Sequence, residues 1–129
     1  MIPDVDCMVE AVCEINPSED AGKVSQALSN ILENFELKVD PYSAMCTSSN
    51  VDSLSKIHES IQRHHSQKVY QRFLYDNLDG DETWFYLNKQ AAFAGSISLC
   101  EHDNESPLGP IKVRIRSKNV ERIIEWLAS

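Results

Sequence analysis

The chain has 129 residues, a formal net charge of −8 and 42% hydrophobic residues. This length predicts a single domain over residues 1–129, and the composition excludes disorder along the whole chain. No apolar run is long enough to cross a bilayer, and the first residues carry two aspartates where a secretory leader would be basic and then apolar. We therefore predict a cytoplasmic protein without a membrane partner. The negative charge also excludes a protein that binds nucleic acid over its whole surface.

The charge is unevenly distributed along the chain. Residues 1–55 hold ten acidic and two basic side chains, whereas residues 56–129 hold ten of each. Two stretches, residues 56–72 and residues 112–122, are basic and contain one acidic residue each. Such stretches predict one of two arrangements. Either they form a local surface that holds a polyanion, or their cations neutralise carboxylates elsewhere in the protein.

The first half of the chain predicts a strand, a helix and further extended structure. Apolar and mostly acidic residues alternate from Val5 to Ile15, which is typical of a half-buried strand. A helix is predicted from about Pro17 to Phe35, with Asn16 as its N-cap and Glu19 as a capping-box carboxylate. Residues 37–46, interrupted by Pro41, predict either a kinked edge strand or two short strands.

The second half begins with helical spacing over residues 51–61 and 69–74, and His64-His65-Ser66 is expected to divide it into two helices. Residues 83–87 and 96–99 predict two paired strands, with residues 90–94 as part of a strand or its connection. A polar loop over residues 101–110, a strand over 111–116 and a helix capped by Ser117 complete the chain. The order β-α-β-α-α-β-β-β-α predicts an α+β two-layer sandwich, in which helices cover one face of a mainly antiparallel sheet.

No catalytic or cofactor-binding motif is found in the sequence. Its four glycines form neither a phosphate-binding loop nor a nucleophile elbow, so we predict no enzyme activity and no cofactor. The cysteines form no Cys-x-x-Cys pair, which favours buried, reduced thiols over a metal site or disulfides. The histidines at positions 58, 64 and 65 are interpreted as surface or helix-end residues, with no metal bound.

The basic strand over residues 111–116 is the main candidate for a binding surface. Lys112, Arg114 and Arg116 project from one face about 7 Å apart, close to the spacing of phosphates along a single strand. If the first strand is its neighbour, however, Glu10 or Glu14 can pair with these arginines. The sequence leaves both arrangements open. The full set of candidate nucleic-acid contacts is Lys112, Arg114, Arg116, Lys118, Arg122, Lys89, Arg63, Lys68 and Arg72.

The polar segment Asn88-Lys89-Gln90 interrupts an otherwise apolar stretch. One charge within such a stretch must reach solvent, a partner or a carboxylate. The segment is therefore either a functional contact or a structural turn, and the sequence does not distinguish the two.

Three segments carry a resemblance to a known family: residues 85–95 (FYLNKQAAFAG), 105–113 (ESPLGPIKV) and 123–128 (IIEWLA). In this order they resemble the archaeal uncharacterised protein family two-hundred-and-one, described as RNA-binding and as a relative of a predicted exosome subunit. The resemblance implies RNA as the partner, a homodimer, and a fold like the ribosomal protein that binds 5S RNA. The alternative from the residues is a protein-interaction module, a homodimer or a subunit of a complex, that uses exposed apolar positions such as Met8 and Val12.

Overall fold

Six antiparallel strands form one sheet in the order β2-β3-β1-β6-β4-β5. The structure, a computed structural model, describes residues 2–102 and 108–129. The strands are β1 (Met8–Glu14), β2 (Glu36–Val39), β3 (Ser43–Ser48), β4 (Glu82–Asn88), β5 (Leu99–Cys100) and β6 (Pro110–Arg116). Strands β1 and β6 therefore lie at the centre of the sheet, and β2 and β5 lie at its edges.

Helices cover only one face of this sheet. They are α1 (Ala21–Ser29), α2 (Ser55–Arg63), α3 (Gln67–Asp76), α4 (Lys89–Phe93) and α5 (Val120–Leu127), with a 3₁₀ turn at Val51–Leu54. Every second side chain of β1, β4 and β6 is buried, and these residues form one core with the apolar stripes of the helices. The predicted α+β two-layer sandwich is confirmed. We call the uncovered side of the sheet, with residues such as Glu10 and Arg114, the open face.

The first helix is shorter than the sequence pattern predicted. It starts at Ala21, and its N-cap is Asp20, whose carboxylate accepts a hydrogen bond from the backbone of Gly22 at 2.8 Å. The predicted pair of Asn16 and Glu19 does form, since the Glu19 carboxylate accepts from the Asn16 backbone at 3.0 Å. That pair closes a separate turn upstream of the helix, so the prediction that Asn16 caps the helix was wrong.

The segment after β4 also differs from its prediction. Residues 89–93 form the short helix α4, where a strand or a plain connection was predicted. The side chain of Asn88 accepts a hydrogen bond from the Ala91 backbone at 2.8 Å and so caps this helix. Gly95, at φ 86°, ends it in a conformation that glycine adopts without strain. As a result, β5 contains only Leu99–Cys100, and part of the predicted 101–110 loop lies outside the described residues.

Two other expectations are confirmed. The extended region around Pro41 is a pair of short strands, because Asp40 accepts hydrogen bonds from the backbones of Tyr42 and Ser43 and so closes a tight turn. The helical region also divides near His64-His65-Ser66. His65 has a φ of 52°, and this left-handed residue separates α2 from α3.

Candidate nucleic-acid interface

The cations of β6 lie beside carboxylates of both neighbouring strands. Strand β6 runs between β1 and β4, and the register places Arg114 opposite Glu10 on one side and Trp84 on the other. Arg116 is opposite Glu82 in the same way. Of the two arrangements that the sequence left open, the structure therefore has the one in which the first strand is the neighbour.

The ion pairs on the open face centre on Arg114. Its guanidinium donates to Glu82 through Nε at 3.0 Å and through Nη2, and it approaches the Glu10 carboxylate at 3.5 Å. Arg116 reaches Glu82 at 3.4 Å while remaining 64% exposed. The hydrogen bond from Arg114 lowers the pKa of Glu82 below its ordinary value, so this carboxylate stays charged. Both arginines of β6 are therefore paired with carboxylates, as the second of the two predicted arrangements requires.

Lys112 has an aromatic partner in place of a carboxylate. Its ammonium lies 4.7 Å from the ring centroid of Trp84, and the Trp84 and Tyr86 rings are 5.0 Å apart. A cation over an indole face is attracted by the ring quadrupole. The cluster of Lys112, Trp84 and Tyr86 is half-buried on the open face, next to Val12. It carries one charge and a sizeable apolar area.

Lys89 does not lie on the surface. Its side chain is 3% exposed and its ammonium donates to the Glu19 carboxylate at 3.0 Å, to the Glu14 carbonyl at 2.8 Å and to the Leu108 carbonyl at 2.7 Å. All three donors of the ammonium are thus used inside the protein. The expectation that Lys89 assists a surface contact was wrong, and the alternative of a structural role is the one that its contacts support.

The buried pair also determines the protonation of Glu19. Burial raises the pKa of this carboxyl, but the hydrogen bonds from Asn16 and Lys89 outweigh it and hold the pKa below its ordinary value. Asn16 additionally donates to the Leu108 carbonyl at 3.0 Å. The network therefore joins the turn before α1, the start of α4 and the segment before β6.

The basic stretch over residues 56–72 lies in the helical layer, on the opposite side of the sandwich from the open face. Arg63 is at the C-terminal end of α2, and Lys68 and Arg72 are on α3, all three exposed. Within the part of the chain that the structure describes, no carboxylate is in ion-pair distance of Arg63 or Lys68. Arg72 is 3.7 Å from Glu101, and both are largely exposed. Arg63 and Lys68 therefore differ from Arg114 and Arg116, which have carboxylate partners on the open face.

The remaining two candidates lie apart from β6. Lys118 is exposed in the turn after β6, and Arg122 is exposed on α5. The five cations between residues 112 and 122 are thus divided among β6, the turn after it and α5, because the chain leaves the sheet at Ser117 and enters the helical layer.

A cleft adjoins the cations of α2. It has two contiguous halves, of about 340 Å³ and 360 Å³, between the α2–α3 corner and residues 95–99. The residues shared by the two halves are Ser60, His64, Ser96 and Ile97. Sequence reasoning missed this cleft. The sequence did contain one signal for the cleft. The spacing of Lys56, Ser60, Arg63 and His64 places four polar residues on one side of a helix and its end.

The thiols and histidines form no catalytic arrangement among residues 2–102 and 108–129. Burial raises the pKa of Cys13 to about 11 and that of Cys46 to about 12, so both stay protonated near neutral pH. All four cysteines are free thiols. His58 stacks on Trp126 with ring centroids 4.4 Å apart and so joins α2 to α5. No group of three potential metal ligands, and no helix able to cross a membrane, occurs within these residues.

Comparison with known proteins identifies the class and then the family. A family model described as RNA binding matches residues 8–117, which include all six strands. A UPF0201 protein of Sulfurisphaera tokodaii is 39% identical over 118 residues, covering 88% of this chain and 81% of that protein. One of Metallosphaera sedula is 32% identical over 123 residues, covering 93% and 86%. The crystal structure of the UPF0201 protein from Methanococcus jannaschii superposes with a TM-score of 0.79 at 25% identity, covering 94% and 92%. The chain belongs to the UPF0201 family, and the resemblance expected from residues 85–128 is confirmed.

Replacing Lys89 should unfold the protein more readily. In Lys89→Met, the Glu19 carboxylate loses its cation and the carbonyls of Glu14 and Leu108 lose this donor, so we expect the free energy of unfolding to fall by about 3–5 kcal/mol. Urea denaturation measures this change. The matched control, Lys112→Met on the open face, should cost about 1 kcal/mol or less. Equal losses in the two variants would contradict a structural role for Lys89.

The stabilisation by Glu19 should disappear in acid. Because its pKa is lower in the folded protein than in the unfolded chain, unfolding takes up a proton, and stability falls as the pH drops through the ordinary carboxyl range. The stability advantage of the wild type over Glu19→Gln should therefore shrink between about pH 7 and about pH 3 in urea titrations. Glu36→Gln, on the exposed strand β2, is the matched control. A difference that stays constant with pH would show that the carboxylate charge is not involved.

Proposed function

We propose that the protein binds RNA through the exposed surface of α2 and α3, with Arg63, Lys68 and Arg72 contacting phosphates. The observation that carries the proposal is the contrast between two basic stretches. Arg114 and Arg116 on β6 are paired with Glu10 or Glu82, whereas Arg63 and Lys68 have no carboxylate partner among the described residues. The RNA-binding description of the family supports the same conclusion.

The charge distribution of the chain favours a confined contact. With a net charge of −8, most of the surface repels a polyanion, and binding requires a local positive potential. Residues 56–72 carry four basic side chains and one acidic one. An RNA strand would therefore dock on this surface in a defined place. We propose a binding role without catalysis, in the cytoplasm.

In this proposal the cations of β6 stabilise the sheet and do not contact the RNA. Lys112, Arg114 and Arg116 link β6 to β4 through Trp84 and Glu82, and Arg114 also reaches Glu10 on β1. Their substitution should therefore affect the sheet more than the RNA. Lys118 and Arg122 are exposed, and we assign them no contact.

Neutralising α2 and α3 should weaken RNA binding selectively. The double variant Arg63→Gln, Lys68→Gln removes two phosphate contacts, so we expect affinity for a single-stranded oligoribonucleotide to fall about tenfold and the slope of log affinity against log salt to decrease by about 1.4. Fluorescence anisotropy over a salt series measures both quantities.

The matched control is Lys112→Gln, Arg116→Gln, which removes the same charge from the opposite layer. Its affinity and salt slope should remain those of the wild type. If the control loses more affinity than the α2–α3 variant, the RNA site is on the open face and the proposed location is wrong.

A second candidate function, self-association, is favoured by the edge strand β2. All four of its residues are exposed, and Leu37 and Val39 are exposed on the side of the sheet that the helices cover elsewhere. Tyr42, in the adjoining turn, is 80% exposed. An apolar edge strand with unpaired backbone groups is a template for pairing with another strand. We propose a second copy of this chain as its partner.

Charge selects the register of this pairing. When two antiparallel strands are related by a two-fold axis, residues opposite each other have their side chains on the same face of the sheet. Centring on Leu37 places Glu36 of each copy opposite Lys38 of the other, whereas centring on Lys38 places the two ammonium groups together. Opposite charges across strands stabilise and like charges destabilise, so the Leu37-centred register is favoured.

Charge reversal tests this register. Lys38→Glu would place only carboxylates across the interface, and we expect sedimentation equilibrium to show weaker dimerisation. The double variant Glu36→Lys, Lys38→Glu restores both pairs with their sense exchanged, so its dimer should recover. A protein that is monomeric at all concentrations, or a double variant no better than the single one, would exclude this interface.

A further inference from the structure

The cleft beside α2 has an apolar half and a cationic half. The apolar half is lined by Val69, Tyr70, Ile97 and Leu99, together with four serines. The cationic half is lined by Lys56, Arg63 and His64, with Glu59 as the acidic residue. The halves share four lining residues and are therefore adjacent. Each has the volume of a small-molecule site at the lower end of the usual range.

Tyr70 provides a sign that the cleft accepts a ligand. The residue is 3% exposed, lines the apolar half, and its ring packs edge-on against Phe85 at 5.7 Å. The described residues offer its hydroxyl no hydrogen-bond partner, and because the hydroxyl is not among the fully enclosed unpaired polar atoms, it opens onto the cleft. Burial raises the pKa of Tyr70, so the hydroxyl remains a neutral donor. A donor of this kind at the wall of a cleft is suited to a polar ligand atom.

The cationic half is suited to a phosphate. Lys56 and Arg63 are seven residues apart on α2 and so share a face, and His64 is the C-cap residue that follows. Lys56 is anchored by a 3.1 Å hydrogen bond from its ammonium to the Ser29 carbonyl. Arg63 has no carboxylate within ion-pair distance among the described residues, so its guanidinium is available for a bidentate contact.

We propose that this cleft binds one unpaired nucleoside monophosphate unit, with the base in the apolar half beside Tyr70 and the phosphate against Arg63 and His64. A base needs an apolar slot with a few hydrogen-bonding groups at its edge, and Tyr70, Ser96 and Ser98 supply hydroxyls there. The phosphate needs hydrogen-bond donors, which Arg63 and His64 supply at the C-terminal end of α2. For an RNA ligand the inference rests on the proposed function, but a free mononucleotide has the same chemistry and tests it separately.

Binding of uridine and adenosine monophosphates, followed by amide chemical shifts, tests the proposal directly. We expect saturable shifts at Tyr70 and at residues 96–98, and weaker binding of uridine because it lacks the phosphate. Tyr70→Phe removes only the hydroxyl and should weaken mononucleotide binding about three- to tenfold. Tyr86→Phe makes the same change on the open face and should leave binding unchanged. Thermal unfolding checks that both variants fold.

The variant Arg63→Gln tests the cationic half independently of the apolar half. It should weaken the binding of the monophosphates about tenfold or more while leaving uridine binding as in the wild type. A loss that is equal for uridine and its monophosphate would overturn the assignment of the cationic half. Equal effects of Tyr70→Phe and Tyr86→Phe would overturn the assignment of the apolar half.

A parallel titration with a single-stranded oligoribonucleotide distinguishes this inference from the proposed function. If the oligoribonucleotide binds with the expected salt dependence but mononucleotides cause no shift at millimolar concentration, the cleft proposal fails and RNA binding stands. If mononucleotides bind and the oligoribonucleotide does not, the cleft is a site for free nucleotides and RNA binding fails. Shifts at Tyr70 with both ligands support both proposals.

Discussion

The position of β6 between two strands that carry carboxylates governs the electrostatics of this protein. Arg114 on β6 lies beside both Glu10 on β1 and Glu82 on β4, because antiparallel registry places Glu10 opposite it and Glu82 diagonal to it. Each such exposed pair contributes little to stability, about 1 kcal/mol at most. Its larger effect is to remove free positive charge from the open face. This contrast is the reason that we place the proposed RNA contact in the helical layer.

The two proposed roles are assigned to different layers, RNA binding to the helices and self-association to the sheet. The α2–α3 surface combines exposed cations with a cleft whose polar and apolar halves match a nucleotide. The edge strand β2 is exposed, and Leu37 and Val39 are apolar, which is suited to pairing with a second copy. The two proposed surfaces therefore involve different elements of the fold.

The segment Asn88-Lys89-Gln90 shows how a familiar motif can be structural. Asn88 caps α4 and Lys89 makes a buried ion pair with Glu19, while Gln90 is exposed. Removing one member of a buried pair is costly because the other charge stays without compensation. The pair also holds the Leu108 carbonyl, which positions the chain before β6. The motif thus maintains the packing of α1, α4 and the central sheet.

The sequence by itself determined the layer architecture and most of the elements. Alternating residues in β1 and β6 and helical spacing in α2 and α5 are local patterns, so they could be interpreted without knowing the fold. It could not determine which strands are neighbours, and that decided whether Arg114 was free or paired with Glu10 and Glu82. Burial of Lys89 and the cleft at Tyr70 likewise depend on residues far apart in the chain. Only tertiary structure brings such residues together, because strand order and helix packing arise from the whole core and not from any one segment.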